Sequence, residues 1–417
     1  MSAASLLHYV SLDGAGGVEL QFVEFLRTAL ARADARHAVV ACGRGVHPLV
    51  ADRLAASGVP VGYEKYAGPL KLPAWPRAVR AAHQRGLMRR HRPDVAVIWN
   101  RMRDSLRTLE AAGAARCLYW ERGASWFPGE TIAKQRFLAT VPAVLCNSHA
   151  ARRMLELRWG YRGAIRVVPN ALRPSLRPAA ARPRQLVSDR PLRLGVVARL
   201  EPIKGVALAV HALALLRDQG RAVTLSIAGD GPERRRLETL VARLDLTDVV
   251  RFEGLVADMG AFYRGIDLLV HPALREPFGQ IAVEANAYGC PAVVAAVDGL
   301  VEVITHDVTG LCVAPSLPLA DYPLLGGHDD DLPPVVYDPV RDRIAPLVLV
   351  DPERLAAAVA TLADDPDAYA RMSAAAIEAV ATRFVFDGHV DAALAAVDEF
   401  RARGTLADPP ASAGQIT

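Results

Sequence analysis

Short apolar runs alternate with longer segments of helical period along almost the whole chain. In the first half, the runs at 6–12, 38–42, 59–63, 95–99, 117–120, 143–146 and 165–168 have the length and composition of buried strands. Between 18 and 31, Val18, Phe22, Phe25, Leu26 and Leu30 share one helical face. The second half repeats the scheme, with strands predicted at 192–198, 223–228, 249–252, 268–271, 292–296 and 310–313. Val206, Val210, Leu213 and Leu216 mark the apolar stripe of the first helix among them. Strict alternation of strand and helix predicts parallel sheets covered on both faces.

The rhythm breaks between 170 and 193, where Pro174, Pro178, Pro183 and Pro191 sit among arginines. That composition suits an exposed linker. The chain therefore reads as an N-terminal α/β domain over 1–172, a linker over 173–191 and a second α/β domain over 192–385. Open α/β sheets take ligands at the carboxyl ends of their strands, so two doubly wound, Rossmann-like domains imply a central cleft as the site. Residues 315–346, rich in Pro, Asp and Gly, interrupt the passage from strand to helix, and a loop of that length is either functional or disordered. Its run Asp329-Asp330-Asp331 is expected to be solvated, because consecutive carboxylates do not converge on one ion. The last helical stretch, with Val390, Leu394, Val397 and Phe400 on one face, has no strand to follow it. Over 386–404 it is expected to cross back to the first domain, with 405–417 a frayed tail.

At 417 residues, two or three domains are expected. No stretch approaches the ~20 apolar residues of a membrane span, and residues 1–14 lack a basic n-region and a cleavage site. The expected location is the cytoplasm. Cys42, Cys117, Cys146, Cys290 and Cys312 form no CxxC pair and mostly sit in strand-like runs, as core residues do. The net charge of +4 hides an asymmetry: residues 1–170 hold 25 Lys and Arg against 12 Asp and Glu, the remainder 24 against 33. Arg77, Arg80, Arg85, Arg89, Arg90 and Arg92, interleaved with Trp75, Val79, Leu87 and Met88, form the richest basic segment. It fits either a helix lying on an anionic membrane surface at the inner face or a plain solvated helix face. Nucleic acid is not expected as a partner, since no recognition module or aromatic stacking platform is present.

Four strand-to-helix turns carry the candidate chemistry. Around 268–285, a predicted strand ends and a loop brings Glu276, Pro277, Phe278 and Gly279. A helix then starts near Gln280, with Glu284 about one turn inside. Helix starts bind phosphate through unpaired N–H groups and the helix dipole, which leaves the two carboxylates to accept bonds from sugar hydroxyls. In a second turn, Arg199 follows the strand and Lys204 opens the next helix, two cations suited to charge developing on a departing diphosphate. The third is Gly229-Asp230-Gly231-Pro232. The fourth, Asp13-Gly14-Ala15-Gly16-Gly17, lacks the last glycine of a dinucleotide fingerprint. Glycine alone in either turn fits an ordinary βα connection.

Together, Arg199…Lys204, Gly229 to Pro232 and Glu276-Pro277-Phe278-Gly279…Glu284 resemble the retaining GT-B glycosyltransferases of family 4, the glycosyl transferases group 1. The resemblance implies a nucleoside-diphosphate sugar as donor, a glycan, lipid-linked or small-molecule acceptor, front-face attack and no metal or other cofactor. By it, Arg199 and Lys204 bind the diphosphate as electrophilic catalysts, and Glu276 holds hydroxyls of the transferred sugar. Phe278, Gly279 and Gln280 offer backbone N–H groups, and Glu284 takes the ribose hydroxyls. Gly229, Asp230, Gly231 and Val256 line the nucleobase pocket, while Gly16 and Gly17 let the first domain approach the diphosphate on closure.

One departure stands out. Many members place a histidine on a first-domain strand facing the donor sugar, whereas here Glu121 or Arg122 occupies that place. These are expected to contact substrate, or else to pair with each other. His271 is expected to be a satisfied strand-end histidine. Other readings of the same fold are a nucleotide-sugar epimerase, a glycan phosphorylase and a non-catalytic nucleotide-sugar-binding protein.

Overall fold

The computed structural model describes residues 4–407 except 15, 33–34, 103–104 and 129–130, so Ala15 of the first glycine turn and the tail from 408 lie outside the described residues. Two compact units result: one runs to Pro169 and resumes at Phe386, the other spans Asn170–Val385.

The first unit is built on strands β1 (Ala4–Leu12), β2 (Ala35–Val46), β3 (Val61–Tyr63), β6 (Val95–Trp99), β7 (Cys117–Glu121), β8 (Ala143–Cys146) and β9 (Ala164–Val167), with β4 (Tyr66–Ala67) and β5 (Leu70–Lys71) forming a small separate hairpin. The seven strands order as β3-β2-β1-β6-β7-β8-β9, all parallel. Leu7, Val10, Val39, Val97, Leu118 and Val144 are buried, as strands covered on both faces require. Helix Gly17–Leu30 turns Phe22 and Phe25 onto Trp99 and Trp120 in edge-to-face contacts of 5.0–5.5 Å. The last helix, Phe386–Arg403, buries Val390, Val397 and Phe400 on this unit. Arg32 pairs with Asp391 at 2.5 Å, Arg166 with Glu399 at 3.0 Å, and His389 Nδ1 lies 2.7 Å from the Pro169 carbonyl. Its apolar face, which had no strand of its own to cover, thus finds its partner across most of the sequence.

The second unit carries β10 (Leu192–Val197), β11 (Val223–Ala228), β12 (Val250–Gly254), β13 (Leu268–His271), β14 (Ala292–Ala295) and β15 (Gly310–Val313). Their order, β12-β11-β10-β13-β14-β15, reverses direction between β10 and β13. Val206, Val210, Leu213 and Leu216 of helix Val206–Asp218 are all buried. No helix among the described residues is long and apolar enough to cross a membrane.

Two expectations change here. The proline-rich stretch 173–191 is not a free linker, because its arginines pin it to the second unit. Arg190 grips Asp267 through both terminal nitrogens (2.6 and 2.8 Å), and Arg184 donates to the carbonyls of Tyr263 and Ile266. Of the two readings of 315–346, functional or disordered, the second falls. The segment holds β16 (Leu317–Pro318), β17 (Val335–Asp338) and β18 (Arg343–Pro346), and β19 (Val348–Leu349) pairs back on β16. Tyr322, 1% exposed, anchors it. The aromatic and aliphatic residues scattered among its Asp, Pro and Gly (Tyr322, Val336, Tyr337) supply burial that the composition concealed.

Candidate active site

The site is assembled at the point where the second sheet reverses its order. β10 and β13 are neighbours, and the chain leaves them in opposite lateral directions, so their carboxyl-end turns face one another. The turn after β10 runs through Arg199 to the 3₁₀ segment Pro202–Lys204. Gly205 ends it with φ +65° and precedes helix Val206–Asp218. A Cβ at Gly205 would lie 2.2 Å from the Pro272 carbonyl oxygen, so the left-handed glycine lets this turn abut the one after β13. Across that seam Lys204 Nζ donates to Glu276 Oε2 at 2.7 Å. His271 Nε2 lies 3.3 Å from the same oxygen.

Burial opposes the charge on Glu276, but the Lys204 ammonium and the His271 contact outweigh it and hold the carboxyl well below its usual range. His271, fully buried, is pushed down from the ordinary imidazole value, mainly by burial, and stays neutral. The expected satisfaction is half met: Nε2 faces Glu276, while Nδ1 has no hydrogen-bond partner among the described residues. The backbone of Glu276 is clamped as well: its N–H donates to Asp298 Oδ2 (3.0 Å), and its carbonyl accepts from Gly299 N–H (3.1 Å). Asp298 Oδ1 in turn accepts from Tyr337 N–H at 2.7 Å. Tyr322 donates its hydroxyl to the Pro202 carbonyl at 2.6 Å. The segment 315–346 therefore braces both turns that meet at the ion pair.

Lys204 closes the 3₁₀ turn instead of opening a helix, and the expected cation pair is split. Lys204 is engaged by Glu276, whereas Arg199 has 73% of its side chain exposed and pairs with Glu201 at 2.9 Å. Gly279 caps helix Gln280–Ala287. Phe278 is buried against Phe384, so it presents only backbone to a ligand, and Gln280 Nε2 donates to the Ala171 carbonyl. Glu284 is 3% exposed, with Oε1 accepting from Arg173 (2.8 Å) and Oε2 from Tyr263 (3.0 Å). Each oxygen keeps a second lone pair for a further donor.

Gly229 explains itself structurally. At φ +125°, a Cβ there would stand 1.8 Å from the Ala198 carbonyl oxygen, because the turns after β10 and β11 pack backbone to backbone. Asp230 is exposed and accepts from Gly231 N–H, and Val256 is half-buried beside Leu255, which is 85% exposed. Sequence reasoning missed Arg173, Asp298, Tyr322 and Tyr337. Asp298 alone carried a signal, since it follows a strand and precedes a glycine and a short helix, as the recognised turns do.

In the first unit, Gly16 and Gly17 open helix Gly17–Leu30 after β1, and a Cβ on Gly17 would meet nothing within 4 Å. Glu121 is corrected. It is fully buried, and its carboxylate accepts from the Tyr119 hydroxyl (2.6 Å), Gly123 N–H (2.6 Å) and Ser125 N–H (3.0 Å). It holds the turn after β7, in place of either a substrate contact or a pair with Arg122. Arg122 is also inside, its guanidinium over the rings of Trp99 (5.3 Å) and Trp120 (5.2 Å), and burial brings it down to about 9. A recess of about 790 Å³ lined by Arg85, Arg89, Arg92, Arg116 and Arg401 opens at the opposite, amino edge of this sheet. Among the described residues no cluster of His, Cys, Asp or Glu is placed to hold a metal ion.

Residues 179–320 match the family model for Glycosyl transferases group 1. Among curated relatives, the chain is 33% identical over 192 residues to the D-inositol 3-phosphate glycosyltransferase of Salinispora arenicola, covering 43% of this chain and 39% of that protein. It is 34% identical over 161 residues to the 2-deoxystreptamine glucosyltransferase of Streptomyces kanamyceticus, covering 36% and 41%. The chain thus spans about two fifths of the length of these relatives. Among solved structures, HepE of Anabaena in complex with UDP and glucose superposes with a TM-score of 0.70 at 19% identity, covering 94% of this chain and 99% of that one. A glycosyltransferase from Rickettsia africae gives 0.71 at 15% identity, covering 97% and 100%. At these identities the likeness is one of fold, two parallel-sheet α/β units as in the GT-B glycosyltransferases, and within it residues 179–320 carry the match to Glycosyl transferases group 1.

Proposed function

We propose that the chain is a retaining, metal-independent glycosyltransferase that moves a sugar from a nucleoside-diphosphate sugar to a glycan, lipid-linked or small-molecule acceptor. The observation that carries this reading is the Lys204–Glu276 pair at the reversal point of the second sheet, beside the start of helix Gln280–Ala287. The diphosphate lies against that helix start, where backbone N–H groups and the dipole favour an anion. Lys204 and the exposed Arg199 meet it there as its charge grows. Glu276, kept ionised by its neighbours, serves as an acceptor for sugar hydroxyls and not as a proton donor. Glu284 takes the ribose hydroxyls beside Arg173 and Tyr263. The glycosidic bond to the diphosphate breaks while the acceptor oxygen bonds the anomeric carbon on the same face, and the acceptor proton passes to the departing phosphate. The reading includes an anionic membrane surface as partner of the arginine-rich helix Arg77–His91.

A thermal-shift screen against nucleoside diphosphates and their sugars, beginning with UDP and UDP-glucose, tests it. A ligand selective for the folded state raises the melting point by mass action. Stabilisation by one nucleoside diphosphate, followed by sugar transfer from its conjugate, is the expected result. No response to any of them, an isomerised donor, or consumption of inorganic phosphate would replace the reading with one of the other functions of the fold.

A further inference from the structure

The basic helix of the first unit has no apolar face to offer a bilayer. In helix Arg77–His91, Gln84 and Leu87 are buried and Met88 half-buried, while Arg77, Arg85, Arg89 and Arg90 point outward. Arg80 is spent on the Leu72 carbonyl, donating through two nitrogens. The exposed apolar groups lie just before and at the start of the helix. Leu70 is 72% exposed, Trp75 80% and Val79 37%. Pro69, Pro73, Ala74 and Pro76 between and beside them are exposed too.

Pairing and hydrogen bonds hold this segment in place. β4 and β5 pair Tyr66 with Lys71 and Ala67 with Leu70. Leu72 N–H donates to the Lys65 carbonyl at 2.9 Å, Arg80 ties Leu72 to the helix, and His83 Nε2 lies 2.8 Å from the Tyr63 carbonyl. Leu70, Trp75 and Val79, exposed within one short segment among Pro69, Pro73, Ala74 and Pro76, are the kind of apolar grouping that marks a membrane or protein interaction site. The charge around them says which: between 65 and 93 the chain holds Lys65, Lys71, Arg77, Arg80, Arg85, Arg89, Arg90 and Arg92 and no Asp or Glu. A protein partner with an acidic rim would need its own apolar socket, whereas an anionic bilayer offers both surfaces everywhere. Tryptophan also favours the headgroup level, where its ring is half wet and half apolar.

We propose that the β4–β5 hairpin and the segment through Val79 insert into the interface of an anionic lipid bilayer, with Leu70 and Trp75 as the inserted groups and the following helix as the electrostatic seat. This rests on the membrane reading given above and changes its geometry: the helix supplies charge, and the segment ahead of it supplies insertion. Because helix Arg77–His91 joins two parallel strands, β3 and β6, its start lies at the carboxyl edge of the first sheet. Arg85, Arg89 and Arg92 carry the charge on toward the amino edge, so in this seating the helix lies along the lipid surface with its start at the insertion point.

The test is vesicle co-sedimentation of the full chain with phosphatidylcholine, alone and with phosphatidylglycerol, read together with tryptophan emission. Wild type should pellet only with the anionic vesicles and show a blue shift, and Trp75→Phe should keep binding but lose the shift. Leu70→Ser with Trp75→Ser should weaken binding at least about tenfold while leaving the melting temperature unchanged, since both side chains are exposed. If wild type ignores anionic vesicles, the membrane reading and the anchor fall together. If it binds but the double serine variant binds as tightly, or the shift survives Trp75→Phe, the anchor alone falls. A dimer in solution that the serine variant dissolves would make a second copy the occupant, and would overturn the proposal.

Discussion

The Lys204–Glu276 contact gives the two residues separable consequences. Glu276 shares its charge with an ammonium and a neutral imidazole, and it sits where a sugar rather than a phosphate is expected. Glu276→Gln should leave nucleoside-diphosphate affinity within about threefold of wild type and lower turnover of the sugar conjugate by about 10²-fold. Lys204→Ala should instead weaken nucleoside-diphosphate binding about tenfold, the share of one charge-assisted bond. Calorimetry with the diphosphate and kinetics with the donor separate the two, and equal losses in both measurements for both variants would remove the assignment. Since the Glu276 carboxyl is held low, the pair's contribution is present above the ordinary value of 4.5 and is lost only as pH falls through the lowered one. Donor binding should therefore show no carboxylate titration from Glu276 near 4.5. Gly229 makes a different kind of case. Its motif resembles a ligand loop, yet an added methyl would strike the Ala198 carbonyl at 1.8 Å in a left-handed backbone. Gly229→Ala should cost on the order of 3 kcal/mol or more in denaturant unfolding, with or without ligand present.

At the level of elements, what the sequence announces and what it hides divide along a physical line. Strands 95–99, 143–146, 223–228, 268–271 and 310–313 begin and end where their apolar runs do, because a strand covered on both faces must be apolar throughout. The site turns were legible for a related reason: each needs a glycine or proline at a fixed place between strand and helix. The segment 315–346 was not legible. Its Pro, Gly and Asp content is that of a loop, and its two tyrosines bear on residues more than 35 positions away, Tyr322 on Pro202 and Tyr337 on Asp298. The linker misled in the same way, since only the fold shows that Asp267 waits for Arg190. Glu121 misled in the opposite sense, as a carboxylate at the mouth of a strand looks exposed until Tyr119, Gly123 and Ser125 close over it. If the insert is a brace, removing one hydroxyl should be felt at the site. Tyr322→Phe leaves the Pro202 carbonyl without its donor, which costs about 1–2 kcal/mol of stability, and it should also weaken nucleoside-diphosphate binding by loosening the turn that carries Lys204. Unchanged affinity at reduced stability would confine the insert to a structural role.

Across the whole molecule, acid should act most strongly through the first unit, where the histidine shifts are largest. Its interior holds three buried histidines: His8 and His37, 2.9 Å apart between Nε2 and Nδ1, and His389 against the Pro169 carbonyl. Burial pushes all three down, His37 to about 4 and His389 to about 3, the latter helped by the nearby Arg122 guanidinium, while His8 is lowered further by its neighbour His37. The unfolded chain takes up these protons near the ordinary value of 6.5, and the folded unit refuses them until far lower pH. Groups whose folded value is depressed contribute stability that is complete above the unfolded value and drains away as pH falls toward the folded one. The window thus opens at about 6.5 and runs down to about 4 for His37 and about 3 for His389, and each histidine can supply a slope of up to about 1.4 kcal/mol per pH unit within it. Denaturant midpoints measured from pH 7.5 to 4 should hold steady above 7 and then fall through that window. His389→Phe should flatten the fall, because a phenyl ring neither takes a proton nor repels Arg122, even though it gives up the bond to Pro169 that ties the last helix to the first unit. A midpoint that stayed level to pH 4, or a phenylalanine variant with the wild-type slope, would mean that these rings are charged or solvated in the folded chain, and the buried aromatic core built on Trp99, Trp120 and Phe25 would have to be redrawn around them.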